Sequence, residues 1–292
     1  MNKKFSQIAL IGAPNVGKST LANFLVEQKI SIVSPKVQTT RNTIKAIMVE
    51  GETQIVFLDT PGVFIPKNNR PLERAIVKNA WAGIKDADFV CLIIDASKGL
   101  GENNQQILKD LEFHKIKPVI IINKIDSVAK EKALEIIANL ADRGFEKIFV
   151  ISALTGDGVA DLKKYLIEIT PKGIWQFNDD EITDAPMKFI AAEITREKLF
   201  LKLEQDLPYC IYVKTESWQD LDNGQVKIHQ TIYVLRESQK MIVLGKKGQM
   251  IKQIGEEARK EIGEMLGTKV HLFLFAKVEK NWINKKEYYE HN

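Results

Sequence analysis

The stretch "GAPNVGKS", residues Gly12–Ser19, decides the fold of this chain. It follows the apolar run "QIALIG", a predicted buried strand, and precedes a helical stretch. Glycines near both ends let the backbone curl, so that successive N–H groups form an anion nest at the helix N-terminus. The pattern therefore predicts a phosphate loop, in which Lys18 reaches the β- and γ-phosphates and the Ser19 hydroxyl binds Mg²⁺.

The surroundings of this loop predict an α/β fold. From residue 5 to about residue 169, apolar strand-like runs alternate with amphipathic helical stretches. Such alternation is typical of a mostly parallel, doubly wound sheet with helices on both faces. The stretch "IKAIMVEGETQIVFLD" breaks the alternation, and its two strands around Gly51 predict a hairpin that gives one antiparallel edge. Residues 1–170 are therefore predicted to be a nucleotide-binding domain.

Two later loops predict which base is bound. "NKID", Asn123–Asp126, follows the strand "PVIIIN", and "SAL", Ser152–Leu154, ends the next strand. The Asp126 carboxylate can accept hydrogen bonds from N1–H and the exocyclic amine of guanine, a donor pair that adenine lacks. Lys124 can lie along the base, Asn123 can tie this loop to the phosphate loop, and the Ala153 N–H can donate to guanine O6. The three loops together predict a GTP or GDP site.

The metal site is predicted from two further stretches. "DTPG", Asp59–Gly62, ends the strand "TQIVFLD". Asp59 is expected to hold the Mg²⁺ shell through water, and the Gly62 N–H to contact the γ-phosphate. The polar stretch "SPKVQTTRN", residues 34–42, is expected to supply a threonine that completes the Mg²⁺ coordination. Thr40 is the first choice and Thr39 the alternative, so the predicted metal residues are Ser19, Thr40 and Asp59.

In this order, the five elements resemble the translation-factor-related class of small GTPases. The residue after Gly62 is Val63, where Ras-like members carry a water-positioning glutamine. GTPases with a hydrophobic residue here and a "PNVGKS" loop form a group in which the loop asparagine, here Asn15, helps to coordinate K⁺. The resemblance implies Mg²⁺ and K⁺ as ions, and Lys18, Thr40, Gly62 and Asn15 as catalytic residues. The predicted nucleotide-binding residues are Gly12, Ala13, Pro14, Asn15, Val16, Gly17, Lys18, Ser19, Thr20, Asp59, Thr60, Pro61, Gly62, Asn123, Lys124, Asp126, Ser152, Ala153 and Leu154.

A second glycine-lysine loop lies in "IVLGKKGQMI", residues 242–251. Its hydrophobic-G-x-x-G-x-x-hydrophobic pattern between two helices is that of a KH domain, which clamps about four single-stranded nucleotides. The predicted element order, helix–strand–strand–helix–loop–helix–strand, indicates an α+β, type II KH domain. The lysines supply positive charge, and Ile242, Val243 and Ile251 are expected to form an apolar groove under the bases. The predicted RNA-binding residues are Ile242, Val243, Gly245, Lys246, Lys247, Gly248, Gln249, Ile251 and Lys252.

The periodicity stops at "TPKGIWQFNDDEITDAP", which predicts a linker at residues 171–186 and a KH domain at residues 187–292. That domain is expected to begin with a helix over Met187–Leu207. The net charge of +4 permits a nucleic-acid or anionic-membrane partner without requiring one. The two scattered cysteines build neither a disulfide framework nor a zinc site, and no apolar run approaches the ~20 residues of a membrane span. We expect a cytoplasmic, mostly monomeric protein.

A GTPase domain of this group with a C-terminal KH domain resembles the Era family of bacterial ribosome-assembly GTPases. The resemblance extends to "QTTRN", "DEITDAP", "AAEITREKL", "LPYC" and "IGEEARKEI". It implies a GTP-hydrolysing factor that binds the 3′ end of 16S rRNA, assists 30S subunit maturation and has a loosely membrane-associated fraction.

The sequence leaves two alternatives open. One is a metabolic phosphate-loop kinase or ATPase with a basic appendage, which "NKID" opposes. The other is an RNA-binding protein with a non-hydrolysing nucleotide domain, which the intact Lys18, Ser19, Asp59 and Asp126 oppose.

Overall fold

A computed structural model of the chain describes residues 2–36, 39–64, 77, 80–280 and 282. The chain divides into two compact units, which are described separately below. The first unit comprises Met1–Ser31 and Thr40–Asp184, and the second comprises Ile32–Thr39 and Ala185–Asn292. The second unit is therefore assembled from two separate parts of the sequence.

The first unit is built on a six-stranded sheet in the order β2-β3-β1-β4-β5-β6. Its strands are β1 (Lys4–Ile11), β2 (Ile44–Glu50), β3 (Thr53–Asp59), β4 (Phe89–Asp95), β5 (Val119–Asn123) and β6 (Ile148–Val150). All neighbouring strands pair in parallel except β2 and β3, whose antiparallel register runs from Ile44–Asp59 to Glu50–Thr53. The predicted hairpin and its antiparallel edge are thus present, and the predicted α/β class is confirmed.

The strands of the first unit are buried because helices cover the sheet. Strand β3 is buried along its whole length, as continuous apolar sequence in an α/β sheet predicts. The covering helices include α1 (Lys18–Leu25), α2 (Glu102–Phe113), α3 (Lys130–Asp142) and α4 (Val159–Ile169), each with a buried apolar stripe. Cys91 on β4 lies in this core, where burial raises the pKa of its thiol to about 12.

The direction of the strands positions the functional loops. Strands β1, β3, β4 and β5 are parallel, so their carboxyl ends meet at one edge of the sheet. At that edge the phosphate loop follows β1, and Asp59, Asp95 and Asn123 are the last residues of β3, β4 and β5. In open α/β sheets, ligands bind at this carboxyl edge.

The segment predicted as a linker contributes residues 171–184 to the first unit. The Trp175 indole N–H donates to the Lys4 carbonyl at 3.0 Å. The Gln54 side-chain oxygen accepts from the backbone N–H groups of Gln176 and Phe177, at 3.0 and 3.1 Å. These residues therefore lie against the amino-terminal ends of β1 and β3.

The second unit has a three-stranded sheet in the order β7-β8-β9, covered by three helices of the described chain. The strands are β7 (Tyr212–Asp220), β8 (Val226–Val234) and β9 (Val270–Val278), and the helices are α5 (Met187–Lys202), α6 (Glu237–Leu244) and α7 (Gln249–Leu266). Strand β8 pairs antiparallel with β7 and parallel with β9. This order of elements confirms the predicted KH fold.

The first helix of this unit is shorter than predicted, because it ends at Lys202 instead of Leu207. Leu203 turns to an extended conformation and buries its side chain in the core of the unit. Gln205 then takes a φ of 55°, which a right-handed helix does not accommodate. A 3₁₀ turn over Leu207–Cys210, with Pro208 at its start, leads into β7.

Residues 32–39 are held to α5 by hydrogen bonds to their backbone. The Val33 N–H donates to Glu197 Oε1 at 2.8 Å, and Arg196 Nη2 donates to the Thr39 carbonyl at 2.6 Å. Arg196 is almost fully buried and also pairs with Glu193. A short part of the N-terminal sequence therefore completes the surroundings of a buried cation.

No helix in the described part of the chain is long and apolar enough to cross a membrane.

Candidate nucleotide and RNA sites

The phosphate loop joins β1 to α1 and needs glycine at its last position. Gly17 has a φ of 99°, and a Cβ atom there would lie 2.2 Å from the Asn123 side-chain nitrogen. Lys18 begins α1 directly after it, and its ammonium donates to the carbonyls of Gly12 and Ala13 at 3.2 and 3.1 Å. The lysine is thus curled under the loop, with its charge at the anion nest.

The charge on Lys18 is costly in this position. Its side chain is 6% exposed. Burial lowers the pKa of the ammonium from 10.5 to about 8, although the Asp59 carboxylate opposes the shift. A cation that is poorly solvated gains more from an anionic ligand than one in water does, because its interactions are less screened. The site is therefore arranged for phosphate.

Three oxygen-bearing side chains meet beside the start of α1. Ser19 Oγ donates to Asp59 Oδ2 at 2.7 Å and lies 3.0 Å from Thr40 Oγ1. Burial raises the pKa of Asp59, although the Ser19 hydrogen bond and the Lys18 charge act in the other direction. Among the described residues, Asp59 Oδ1 is buried without a hydrogen-bond partner of ordinary geometry, although the nearby Ser31 hydroxyl also acts to lower the pKa of Asp59. This set of hard oxygen donors, one of them unsatisfied, fits a Mg²⁺ ion.

The structure separates the two candidate threonines. The Thr40 hydroxyl is within hydrogen-bond distance of the Ser19 hydroxyl. The Thr39 hydroxyl instead donates to the Lys36 carbonyl at 2.8 Å and lies 2.8 Å from Ser34 Oγ. Thr40 is thus the threonine whose position matches the metal role.

The segment after β3 lies directly against the phosphate loop. Thr60 is anchored by its hydroxyl, which donates to the Leu10 carbonyl at 2.7 Å. A Cβ atom at Gly62 would lie within 2.8–2.9 Å of Pro14, so only glycine allows this approach. The Val63 N–H donates to the Gly12 carbonyl at 3.0 Å, and its side chain packs into the apolar core. The residue in the glutamine position of Ras-like enzymes is therefore a core residue.

Asn123 connects three loops. Its side-chain N–H donates to the Val16 carbonyl at 2.8 Å, and its side-chain oxygen accepts from the Ala153 N–H at 2.8 Å. The phosphate loop, the "NKID" loop and the "SAL" loop are therefore fixed to one another by a single buried amide. In the "NKID" loop the Lys124 backbone has a φ of 67°, in the left-handed region. Asp126, two residues later, is exposed.

Asp95 is a residue of this site that sequence reasoning missed. Its carboxylate accepts from Lys124 Nζ at 2.8 Å, and the same ammonium donates to the Asn15 carbonyl at 2.5 Å. Burial alone would raise the pKa of Asp95, but hydrogen bonds from Lys124 and Ser97 outweigh it and lower the pKa. Asp95 therefore keeps the lysine of the base loop in place. The available signal was its position as the last residue of a buried strand, where Asp59 and Asn123 also occur.

The second glycine-lysine loop lies between α6 and α7. Gly245 has a φ of 72°, and a Cβ atom there would lie 2.6 Å from that of Met250, so the turn is tight. Lys247 takes a φ of 52°, and both Lys246 and Lys247 are exposed. Gly248 has open space around its Cα, so an approaching backbone is not obstructed. This geometry places two cations on a narrow turn at the N-terminus of α7.

The apolar residues beside this loop are not all available to a ligand. Ile242 is exposed and Ile251 is partly buried. Val243 is a correction, because it is 0% exposed and packs into the core of the second unit. On a helix, neighbouring residues face different directions, so Ile242 and Val243 cannot both line one groove. A groove in this unit runs along α7 and β9, and it is lined by Ile251, Lys252, Gly255, Glu256, Arg259, Leu272, Phe273, Leu274 and Phe275.

The remaining predicted residues lie in the same loops or in the first turns of α1 and α7. Ala13, Val16, Pro61 and Ser152 are buried; Pro14 and Thr20 are partly buried; Leu154, Gln249 and Lys252 are exposed.

Comparisons with known proteins match both domains. Residues 7–124 match the family model described as 50S ribosome-binding GTPase, and residues 206–283 match the KH domain model. The GTPase Era of Afipia carboxidovorans is 53% identical over 97% of this chain and 91% of its own length. The GTPase Era of Brucella suis biovar 1 is 51% identical over 97% of this chain and 90% of its own length.

Two solved structures cover nearly the whole chain. One is Era in complex with MgGDPNP and nucleotides 1506–1542 of 16S ribosomal RNA, with a TM-score of 0.93, 37% identity and coverage of 98% of this chain and 97% of that one. The other is a tyrosine-to-alanine variant of Aquifex aeolicus Era bound to GDP·AlF4⁻, with a TM-score of 0.92, 37% identity and the same coverage.

Identity of this extent, over both the phosphate-loop unit and the KH unit, shows that the chain belongs to the GTPase Era family and is a GTP-hydrolysing enzyme.

Proposed function

We propose that this GTPase binds the 3′ end of 16S rRNA through its KH unit and assists maturation of the 30S subunit. The observation that carries the proposal is the presence, in one chain, of the joined phosphate, base and metal loops and of a glycine-framed lysine loop. The solved relative that holds both a GTP analogue and an rRNA fragment supports it. The sequence boundaries, a nucleotide domain at residues 1–170, a linker at 171–186 and an RNA-binding domain at 187–292, stay a proposal beside the compact units, in which residues 171–184 belong to the first unit and residues 32–39 to the second.

In the nucleotide site, the roles follow from the positions of the side chains. The Lys18 ammonium neutralises the β- and γ-phosphates, and the backbone N–H groups of Gly12–Ser19 and Gly62 donate to phosphate oxygens. Asp126 accepts from guanine, and Lys124, held by Asp95, lies along the base. Since Val63 is packed in the core, the hydrolytic water must be positioned by backbone groups, by another residue or by an ion.

Mg²⁺ would be held by Ser19 and Thr40, with Asp59 behind its water ligands, and would stabilise charge that develops on the phosphates. The relatives solved with MgGDPNP and with GDP·AlF4⁻ support this assignment.

A potassium ion near Asn15, the cytoplasmic location, the mostly monomeric state and the loosely membrane-associated fraction stay predictions that rest on the resemblance.

The RNA role is tested by removing charge from the second loop. Changing Lys246 and Lys247 together to Ser should weaken binding of an RNA with the sequence of nucleotides 1506–1542, and should flatten the log–log salt dependence by about one. The control changes Lys260 and Lys269 to Ser, because both are exposed on the same unit outside the loop. GTP affinity should stay unchanged in both variants.

A second variant tests the backbone approach. Gly248→Asp places a carboxylate where the RNA backbone passes, so RNA binding should be lost. An RNA affinity in Gly248→Asp equal to that of the unchanged protein would contradict the assignment of this loop.

A further inference from the structure

Two phenylalanines on the last strand are exposed to a degree that folding does not explain. Phe273 and Phe275 on β9 are 43% and 58% exposed. Strand β9 is the edge of its sheet, since only β8 pairs with it in the described chain. Exposed apolar side chains on an edge strand favour unwanted pairing with other chains, and proteins commonly place lysine there instead. The exposure of these two phenyl rings therefore indicates a binding surface.

The rings lie on the face of the sheet opposite the helices that the structure describes. Residues alternate along β9, and Leu272 and Leu274 face the helices, so Phe273 and Phe275 face the other way. We name this face the aromatic face. On β8 and β9 it includes Lys227, His229, Phe273, Phe275 and Lys277.

The aromatic face is ordered by contacts between its members. His229 lies directly opposite Phe273 in the register, with ring centroids 4.9 Å apart and planes at 81°. The His229 ring is also 6.2 Å from Phe275, at 88°. Both phenyl rings are thus held by the His229 ring between them, and a ring that is already ordered loses little further freedom when a ligand stacks on it.

Positive charge surrounds these rings. Lys227 Nζ is 5.7 Å from the centre of the Phe273 ring, and Lys277 is exposed two residues beyond Phe275. Lys252 and Arg259 line the adjoining groove on α7, with Glu256 as the one carboxylate among the groove residues. Aromatic rings beside cations are the combination that binds single-stranded nucleic acid, because bases stack on the rings while the cations neutralise phosphates.

The two phenyl rings are continuous with the RNA-binding groove. Phe273 and Phe275 both contribute to its wall, which also contains Ile251 and Lys252 from the helix that follows the glycine-lysine loop. We propose that bases of the bound single-stranded RNA leave this groove across the edge of β9 and stack on Phe273 and Phe275, forming a second subsite on the aromatic face. This inference rests on the proposed RNA-binding function and names a further part of that site.

The test measures RNA affinity and its salt dependence on the full chain. The probe is a fluorescent RNA with the sequence of nucleotides 1506–1542 of 16S rRNA. Phe273→Leu and Phe275→Leu keep an apolar side chain but remove the flat ring, so each should weaken binding roughly 5- to 100-fold. The salt slope should stay unchanged, because stacking releases no counterions. Phe275→Trp should retain full affinity, because the indole ring also stacks.

Phe113→Leu is the matched control, because Phe113 is 82% exposed on the first unit and should not alter RNA affinity when changed. Circular dichroism of each variant confirms that the sheet is intact. An RNA affinity unchanged in the Phe273→Leu, Phe275→Leu double variant, while Gly248→Asp abolishes binding, would overturn the second subsite, leave the RNA-binding function standing and indicate a protein partner for these rings. Absence of RNA binding by the unchanged protein would instead refute the proposed function itself.

Discussion

Replacing Lys18 with Met should stabilise the nucleotide-free protein while removing its nucleotide affinity. The aliphatic stem of Lys18 is buried, and methionine fills nearly the same volume without a charge. The pKa of Lys18 falls from 10.5 to about 8 in the folded protein, a difference that corresponds to roughly 3 kcal/mol of unfavourable free energy at neutral pH. Because the variant also removes the hydrogen bonds to the Gly12 and Ala13 carbonyls, we expect a net gain of about 1–3 kcal/mol.

The sign of the pH dependence follows from proton binding. Below pH 8 both folded and unfolded chains carry the Lys18 proton, and the cost of burial is fully present. Between pH 8 and 10.5 the unfolded chain holds a proton that the folded chain has released, so the stability of the unchanged protein rises with pH. The advantage of the methionine variant should therefore shrink by about 2 kcal/mol between pH 7 and roughly pH 9.5.

The measurement has to report on the first unit alone. Urea titrations at the two pH values, each followed by a brief deuterium pulse, show by mass spectrometry whether the amides of β1 and β3 are folded. Lys98→Met is the control, because Lys98 is exposed on the same unit and its change should leave stability nearly constant. If Lys18→Met is no more stable than the unchanged protein, or if its advantage is the same at both pH values, Lys18 is not a strained cation.

Two further predictions concern the nucleotide site. Asp126→Asn should weaken GTP binding by about 3 kcal/mol or more, because two hydrogen bonds to a charged acceptor are lost, and should favour xanthosine triphosphate; calorimetry that shows unchanged GTP affinity would remove the guanine assignment. Val63 is buried in the core and cannot orient water, so we expect a K⁺ ion held near Asn15 to supply catalytic charge. Hydrolysis should then be faster in KCl than in NaCl at equal ionic strength, and Asn15→Ala should abolish the difference. Equal rates in both salts for the unchanged protein would argue against a role for potassium.

Much of this fold was predictable because its signals are local. Each phosphate-binding and base-binding loop follows an apolar strand, and the hairpin at Gly51 is marked by its own turn. The features that the sequence did not predict depend on tertiary packing. The aspartate at the end of β4 acquires a role only because β5 lies beside it and delivers Lys124. Val243 looks like a groove residue in the sequence, yet the direction of α6 turns it into the core. The early end of α5 depends on where Leu203 is buried.

The division of the second unit between two parts of the sequence affects how the protein can be truncated. Removing residues 1–184 would delete the Thr39 carbonyl that accepts from Arg196 and the Val33 N–H that donates to Glu197. A buried cation and a buried carboxylate would each lose a polar partner, which is destabilising. The chain passes between the two units after residues 31, 39 and 184. Deleting everything before Ala185 therefore removes the whole first unit and also Ile32–Thr39 of the second.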